Sequence, residues 1–287
     1  MDVSALIKTW IGSLGGFFTD PRALFWWPTI VVSALGALAV AVMYRRQIDA
    51  AISTERKSLA SFFRELPMDI ACYLGYTFTQ VLIGSALFFV SVGGVLLVFF
   101  IAGGQPTRVA APVMSAQITM AVLAFVLSDL SLYWSHRLFH RFKVLWWFHS
   151  LHHNPAVLTP ITAFRFWPPE AVVHFVAFQF GEGIAFGIAN LMFGANITPY
   201  TYLGVNVFWL SWYLAFSHLR HSHIALNYPR WLSHILVSPH MHQAHHSIDP
   251  IHHQCNFGTA LALWDWMFGT LFIPGKSEKF RFGVVRA

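Results

Sequence analysis

Apolar stretches long enough to cross a bilayer constrain this chain more than any other feature. Roughly 20 residues span the hydrocarbon core, and five stretches reach about that length: Leu24 to Met43, Ile70 to Ala102, Val113 to Trp134, Ala171 to Phe193 and Ile197 to Phe216. A backbone in lipid must satisfy its own hydrogen bonds, which makes helices of them. With 56% hydrophobic and 10% charged residues over 287 positions, the composition lies outside that of a soluble domain. The expected fold class is an all-α integral membrane protein with about five transmembrane helices and a cytosolic histidine-rich catalytic region. The second stretch exceeds one crossing; it tilts or breaks at Gly93-Gly94, and is counted as one helix.

Met1 to Asp20 lacks a small-residue cleavage site before Arg22 and reads as an interfacial helix. Cys72 and Cys255 are far apart with no CxxC, so both are expected to be free thiols. The net charge of +6 comes from basic residues scattered beside the spans, a pattern of membrane topology rather than nucleic-acid binding. Arg45, Arg46, Arg56, Lys57 and Arg64 flank the first loop, Arg137, Arg141 and Lys143 follow the third span, and Arg220, Arg230, Lys276, Lys279, Arg281 and Arg286 lie in the tail. Placing them in the cytosol puts the N-terminus outside. Two domains are expected: 1–109, the interfacial helix and first two spans, and 110–287, carrying the chemistry.

That chemistry is announced by histidine. The first 135 residues contain none, and all sixteen lie between His136 and His253. They come in short boxes. HRLFH (His136, His140) puts two imidazoles one turn apart on a helix face, able to chelate one ion. HSLHH (His149, His152, His153) and HQAHH (His242, His245, His246) share an HxxHH spacing, and HLRHSH holds His218, His221 and His223. His218 and His221, at i, i+3, can share a face; His221 is the preferred ligand and His218 the next. A single HxxHH is weak, but two copies with an HxxxH in one compartment are hard to obtain by accident.

Neutral imidazole suits Fe, Zn, Cu and Ni. A structural zinc site closes with four ligands and gives no reason for eight or more, so two metals are implied. Hard cations such as Mg and Ca are disfavoured, whereas zinc stays open on ligand chemistry alone.

At these residues the chain resembles the fatty acid hydroxylase / sterol desaturase superfamily of membrane di-iron enzymes. The matching elements are DLSLYWSHRLFH (Asp129 to His140), WWFHSLHHN (Trp146 to Asn154), the HSH box around His221, and Ser238 to Thr270. The resemblance implies two iron ions, with zinc as a substitute, held by His136, His140, His149, His152, His153, His221, His242, His245 and His246. It implies a lipid substrate, O2, and hydroxylation of a C–H bond, with desaturation at the same centre as the alternative. One turn departs from the family: RFWPPE, Arg165 to Glu170, carries Trp167 where a histidine is usual, so no role is assigned to it. The compact form resembles bacterial members, which points to the inner membrane.

Asp129 lies seven residues before His136, on the same helix face about two turns deeper. A carboxylate in a span is functional or paired; it is read as a hydrogen-bond partner of the site ahead of a ligand, with a satisfied interhelical contact as the alternative. No dinucleotide fingerprint or haem module is present, so electrons come from an external donor such as ferredoxin or a cytochrome b5-like reductase system. Arg220 and Arg230 would suit an acidic carrier. His174 and His234 read as buried or peripheral, and His240, His252 and His253 as neighbours of the site. Gly183 and Gly187 read as a helix-packing pair, and the clusters Phe25-Trp26-Trp27, Trp146-Trp147-Phe148 and Trp264 to Phe268 as interfacial belts. The rivals from other classes are a haem membrane protein, which needs only paired axial histidines, and a metal transporter, which needs polar residues along a path through the bilayer.

Overall fold

The computed structural model describes residues 3–16, 19–20, 27–28, 30–32, 34–35, 55–104, 113–194, 199–202, 205–275 and 278–283, with 55–62 and 113 by backbone alone. Helix α1 (Val3–Gly15) leans on α2 (Glu55–Ala102), where the Trp10 indole donates to Thr77 Oγ1 at 3.1 Å. The long helices α2, α3 (Val113–Arg141) and α5 (Pro168–Phe193) carry the three stretches that are long and apolar enough to cross a membrane among the described residues: Phe63–Ala102, Met114–Arg141 and Pro168–Phe193. A short helix, α4 (Lys143–His153), follows α3. At 1.5 Å per residue, α2 runs about 72 Å, more than twice the hydrocarbon thickness and longer than one crossing needs.

Helix α5 is wedged between α2 and α3, and glycine makes the fit. A Cβ on Gly183 would lie 2.2 Å from the Ser91 carbonyl oxygen of α2, and one on Gly181 would lie 2.5 Å from the Leu127 carbonyl oxygen of α3. A Cβ on Gly187 would meet Val98 at 2.7 Å. Backbones meet with no side chain between them, the expected packing role of Gly183 and Gly187. Ser91 Oγ adds hydrogen bonds to the Gln179 carbonyl (3.1 Å) and side chain (2.7 Å).

One expectation about the spans is left outside the description and another changes. Leu24 to Met43 falls mostly outside the described residues. The fifth, Ile197 to Phe216, does not form one helix. Thr201–Tyr202 pairs antiparallel with Val205–Asn206, and only then does α6 begin at Val207–Trp212, running on through a π-helical turn, Tyr213–Ser217, to His218–Arg220. The cause is Asn206, whose side chain accepts from Phe208 N at 3.0 Å and starts the helix midway along the apolar run. The remaining 14 residues, Val207 to Arg220, fall short of a crossing.

The C-terminal third caps one end of this bundle. A 3-10 turn (Pro160–Phe164) precedes α5, and the short helices α7 (Pro239–His245) and α8 (Leu263–Met267) follow α6. Arg165 ties the 3-10 turn to the start of α2, pairing with Asp69 and, at 3.0 Å, with Glu65. Asp129 ties α8 to α3: its carboxylate accepts from Ala260 N (2.9 Å), Leu261 N (3.1 Å) and the Trp264 indole (2.9 Å). Trp264 is therefore buried rather than part of an interfacial belt, while Trp266 beside it is exposed.

Candidate metal centre

Every histidine-bearing segment reaches the same end of the bundle. His136 and His140 close α3, and the turn after it starts α4, whose last two turns carry His149, His152 and His153. Helix α7 begins where Ser238 caps it, Oγ accepting from Met241 N at 3.2 Å, with Pro239 in the first turn. Ser-Pro is a strong helix start, and it sets His242, His245 and His246 on a single rigid coil.

The two HxxHH boxes then divide. His136, His140, His149, His153 and His245 form one buried group whose ligand nitrogens lie within 4.8 Å of one another, and His152, His221, His242 and His246 form a second. The α4 box gives two rings to the first group and one to the second; the α7 box gives one and two. Nine of the ten predicted ligands are thus brought together. His218 is buried at the end of α6 but joins neither group.

The first group is pre-set as a ligand field by a strap, His253 to Gly258, laid across it. His140 Nδ1 donates to the His253 carbonyl (3.0 Å), His245 Nδ1 to the Cys255 carbonyl (2.7 Å) and His136 Nδ1 to the Phe257 carbonyl (2.9 Å). Alternate carbonyls thus serve three rings. Asn256 between them has φ 54, a left-handed conformation that asparagine tolerates, and its side chain holds the Met241 and Phe272 carbonyls at 2.9 and 2.8 Å. The strap is clamped by Asp265, which accepts from Phe257 N and Gly258 N, both at 2.8 Å, and from Thr270 Oγ1 at 2.6 Å. Gly258 is required there, since a Cβ would lie 2.4 Å from the Leu261 carbonyl oxygen.

His149 is oriented from the other side. Its Nδ1 meets Glu170 Oε1 at 2.5 Å, and the fully buried carboxylate also lies 3.6 Å from His174 Nε2. The turn to which no role was assigned supplies this contact through Glu170 rather than through position 167. The readable signal was a carboxylate at the first turn of a span, costly in lipid unless it has a partner. Asp129 contrasts with it: all its hydrogen bonds given above go to the C-terminal segment and none to a clustered histidine, so the satisfied-contact alternative describes its geometry.

The residues fit a metal. With Nδ1 committed as donor on His136 and His149, neutral rings present bare Nε2 lone pairs, and these face each other at 3.1 Å. Such an approach is repulsive unless a cation sits between them. Nε2 of His140, His153 and His245 are buried and without a hydrogen-bond partner, so the first group offers more acceptors than a single proton can serve. In the second group, His221 Nδ1 donates to Thr162 Oγ1 (3.1 Å), whose own hydroxyl is spent on the Thr159 carbonyl. Its Nε2 therefore faces His242 Nε2, at 2.7 Å, with His246 Nε2 3.1 Å further on. Burial, reinforced by neighbouring imidazoles, holds His152, His153 and His246 well below the usual histidine range. Burial and then Arg220 do the same to His221 and His242, and burial takes His245 down to about 3. The rings are neutral at pH 7, the state that binds metal.

Three helices long and apolar enough to cross a membrane, with paired all-imidazole clusters able to hold metal at one end, define the class: a membrane protein of the histidine-box type. The comparisons narrow it. Residues 121–270, just over half of the chain, match the Fatty acid hydroxylase family, and the chain belongs to that family. It is 29% identical over 164 residues, 57% of this chain and 45% of the relative, to Ornithine lipid hydroxylase OlsE of Rhizobium tropici. It is also 29% identical over 162 residues, 56% of this chain and 32% of the relative, to Alkylglycerol monooxygenase of Xenopus tropicalis. The aligned region spans less than half the length of these curated relatives. No solved structure matches the chain.

Proposed function

We propose that this protein is a lipid hydroxylase whose two histidine clusters each hold an iron ion, with the centre on the cytosolic side of a bacterial inner membrane. The carrying observation is the reciprocal division of the two HxxHH boxes into one five-histidine and one four-histidine group. That division suits two adjacent metals rather than a haem, which needs two axial rings. It also suits a fixed centre at one end of the spans better than a transport path along them.

Iron held by imidazole supplies the oxygen-activating redox chemistry, in which a lipid C–H bond, O2, two electrons and two protons give an alcohol and water. The chain's own residues prepare for it. The strap carbonyls and Glu170 keep protons on the outer nitrogens, so the inner nitrogens stay available to metal. Burial keeps water out and the imidazoles neutral, and the apolar faces of α2, α3 and α5 meet the bilayer from which a lipid arrives. Oxygen insertion is favoured over desaturation because the relatives are named a hydroxylase and a monooxygenase.

The test is mass spectrometry of lipids from cells expressing the wild type or His242→Ala, grown under 18O2. A lipid gaining one heavy oxygen atom only with the wild type is the expected result. Loss of two hydrogens instead would mean a desaturase, and identical lipid profiles despite bound iron and a working electron donor would overturn the reading.

A further inference from the structure

The oxygenase reading requires two electrons from outside the chain, and the inference drawn here rests on that reading and deepens it. We propose that an acidic one-electron carrier protein docks over a surface cavity beside His140, with Trp146 as the ring through which the centre is reduced. The cavity, about 210 Å³, is lined by His140, Arg141, Lys143, Trp146, His253 and Gln254. His140 belongs to the five-histidine group, so this cavity opens onto that group. The half-buried Trp146 ring lies 5.0 Å from the ring of His140 and 5.2 Å from that of His153, both members of the same group.

Charge selects the partner. Arg141 and Lys143 are exposed on the rim and, among the described residues, carry no ion pair. The other cations near the centre are committed. Arg165 pairs with Asp69 and Glu65, and Arg137 donates to Tyr133 OH at 2.9 Å. Arg220, expected to face a carrier, is turned inward: it donates to the Thr259 carbonyl at 2.8 Å and lies over the Trp212 ring. A second surface cavity, about 160 Å³, sets Asp249 and Glu278 against Lys279 and Arg281 and is lined by no clustered histidine. Of these two cavities, the first alone joins unneutralised positive charge to the clustered rings. An acidic carrier face complements that rim and is steered to it. Anionic lipid headgroups are the competing occupant, since Phe142, Val144 and Trp147 beside the rim are exposed and apolar; the Trp146 bridge to two clustered rings favours the carrier. Each carrier leaves oxidised by one electron. Two in sequence supply the pair that, with two protons, takes one oxygen atom of O2 to water while the other enters the lipid.

The test uses the full chain in nanodiscs of zwitterionic lipid, at matched iron content, with an acidic plant-type [2Fe–2S] ferredoxin as probe. Binding is measured across a salt series, and ferredoxin oxidation is followed under O2. The expected result is salt-sensitive binding by the wild type, weakened about tenfold or more in Arg141→Glu/Lys143→Glu and less in the milder Arg141→Gln/Lys143→Gln. Arg230, which the sequence also offered to a carrier but which does not line this cavity, gives the control: Arg230→Glu changes the charge by two, as the Gln pair does, and should stay within about twofold. Trp146→Leu should bind normally and oxidise ferredoxin more slowly. Equal binding by the wild type and the double charge reversal would overturn the proposal, as would no wild-type binding. Rim variants that alter only attachment to anionic vesicles would overturn it in favour of headgroups. If the rim governs ferredoxin binding while no lipid gains oxygen, the docking site stands and the hydroxylase reading falls.

Discussion

His149 donates from Nδ1 to Glu170 at 2.5 Å while its Nε2 faces His136 Nε2 at 3.1 Å, so one ring links the first turn of α5 to the five-histidine cluster. Replacing Glu170 with Ala should lower metal affinity about 10- to 100-fold, the usual cost of losing a ligand's hydrogen-bond partner. Gln, whose amide oxygen still accepts from Nδ1, should cost less. Competition with a graded series of chelators measures both; equal affinity in wild type and Glu170→Ala would remove the carboxylate from the site.

Asp265 acts one step further out. It holds Phe257 N and Gly258 N, and the Phe257 carbonyl holds His136. Asp265→Ala leaves two buried amides unsatisfied, at about 1–3 kcal/mol each. It should lower thermal stability and loosen metal at the five-histidine cluster before the four-histidine one. Asp129→Ala, whose carboxylate binds Ala260, Leu261 and Trp264, should destabilise the protein comparably while metal per folded molecule is preserved. Metal loss in Asp129→Ala equal to that in Asp265→Ala would contradict this division.

Protonation sets a floor on working pH. In the unfolded chain each imidazole takes up a proton near pH 6.5, whereas burial holds His245 down to about 3 and His152, His153, His221, His242 and His246 well below their usual range. Between those values the unfolded state binds more protons, so stability is full above about pH 6.5 and falls as pH drops, by about 1.4 kcal/mol per pH unit for each such ring. Unfolding and metal release measured together from pH 7.5 to 5 should both advance as pH falls. Stability that is flat or rising toward pH 5 would contradict the burial assigned to these rings.

Helix packing gives a cleaner contrast. Gly183→Ala pushes a methyl to 2.2 Å from the Ser91 carbonyl oxygen, whereas a Cβ at Gly84 meets nothing within 4 Å. Overpacking of this kind costs about 1–3 kcal/mol, so Gly183→Ala should melt lower in detergent and Gly84→Ala should not. Equal melting temperatures would mean that α2 and α5 are not in this register.

The histidine boxes were legible because spacing along a helix fixes which rings share a face; the HxxHH and HxxxH patterns named eight of the nine clustered rings, and the ninth, His221, was the preferred ligand of HLRHSH. How the boxes divide between two groups was not legible, since it depends on the angle at which α4 and α7 meet. The His253 to Gly258 strap gave no sequence signal because its ligand-orienting atoms are backbone carbonyls, which every residue has. Glu170 was readable as a carboxylate in a span, but the departure at Trp167 drew attention away from it. His218 shows the limit of periodicity: the helix it closes ends at Arg220, and His221, one residue beyond, has φ -97 and ψ 74, which separates the two rings. Hydropathy likewise saw the apolar run from Ile197 but not the cap at Asn206 that starts its helix late.

The central claim is a pair of metals divided between two histidine groups, and counting metal per chain tests it most directly. The protein is purified anaerobically and its iron measured by elemental analysis, for wild type, His153→Ala and His242→Ala. The account predicts two irons per wild-type chain, with His242→Ala, left with three of four rings in its group, losing about one, and His153→Ala, left with four of five, losing less. One iron or none in the wild type, or two retained in His242→Ala, would contradict it.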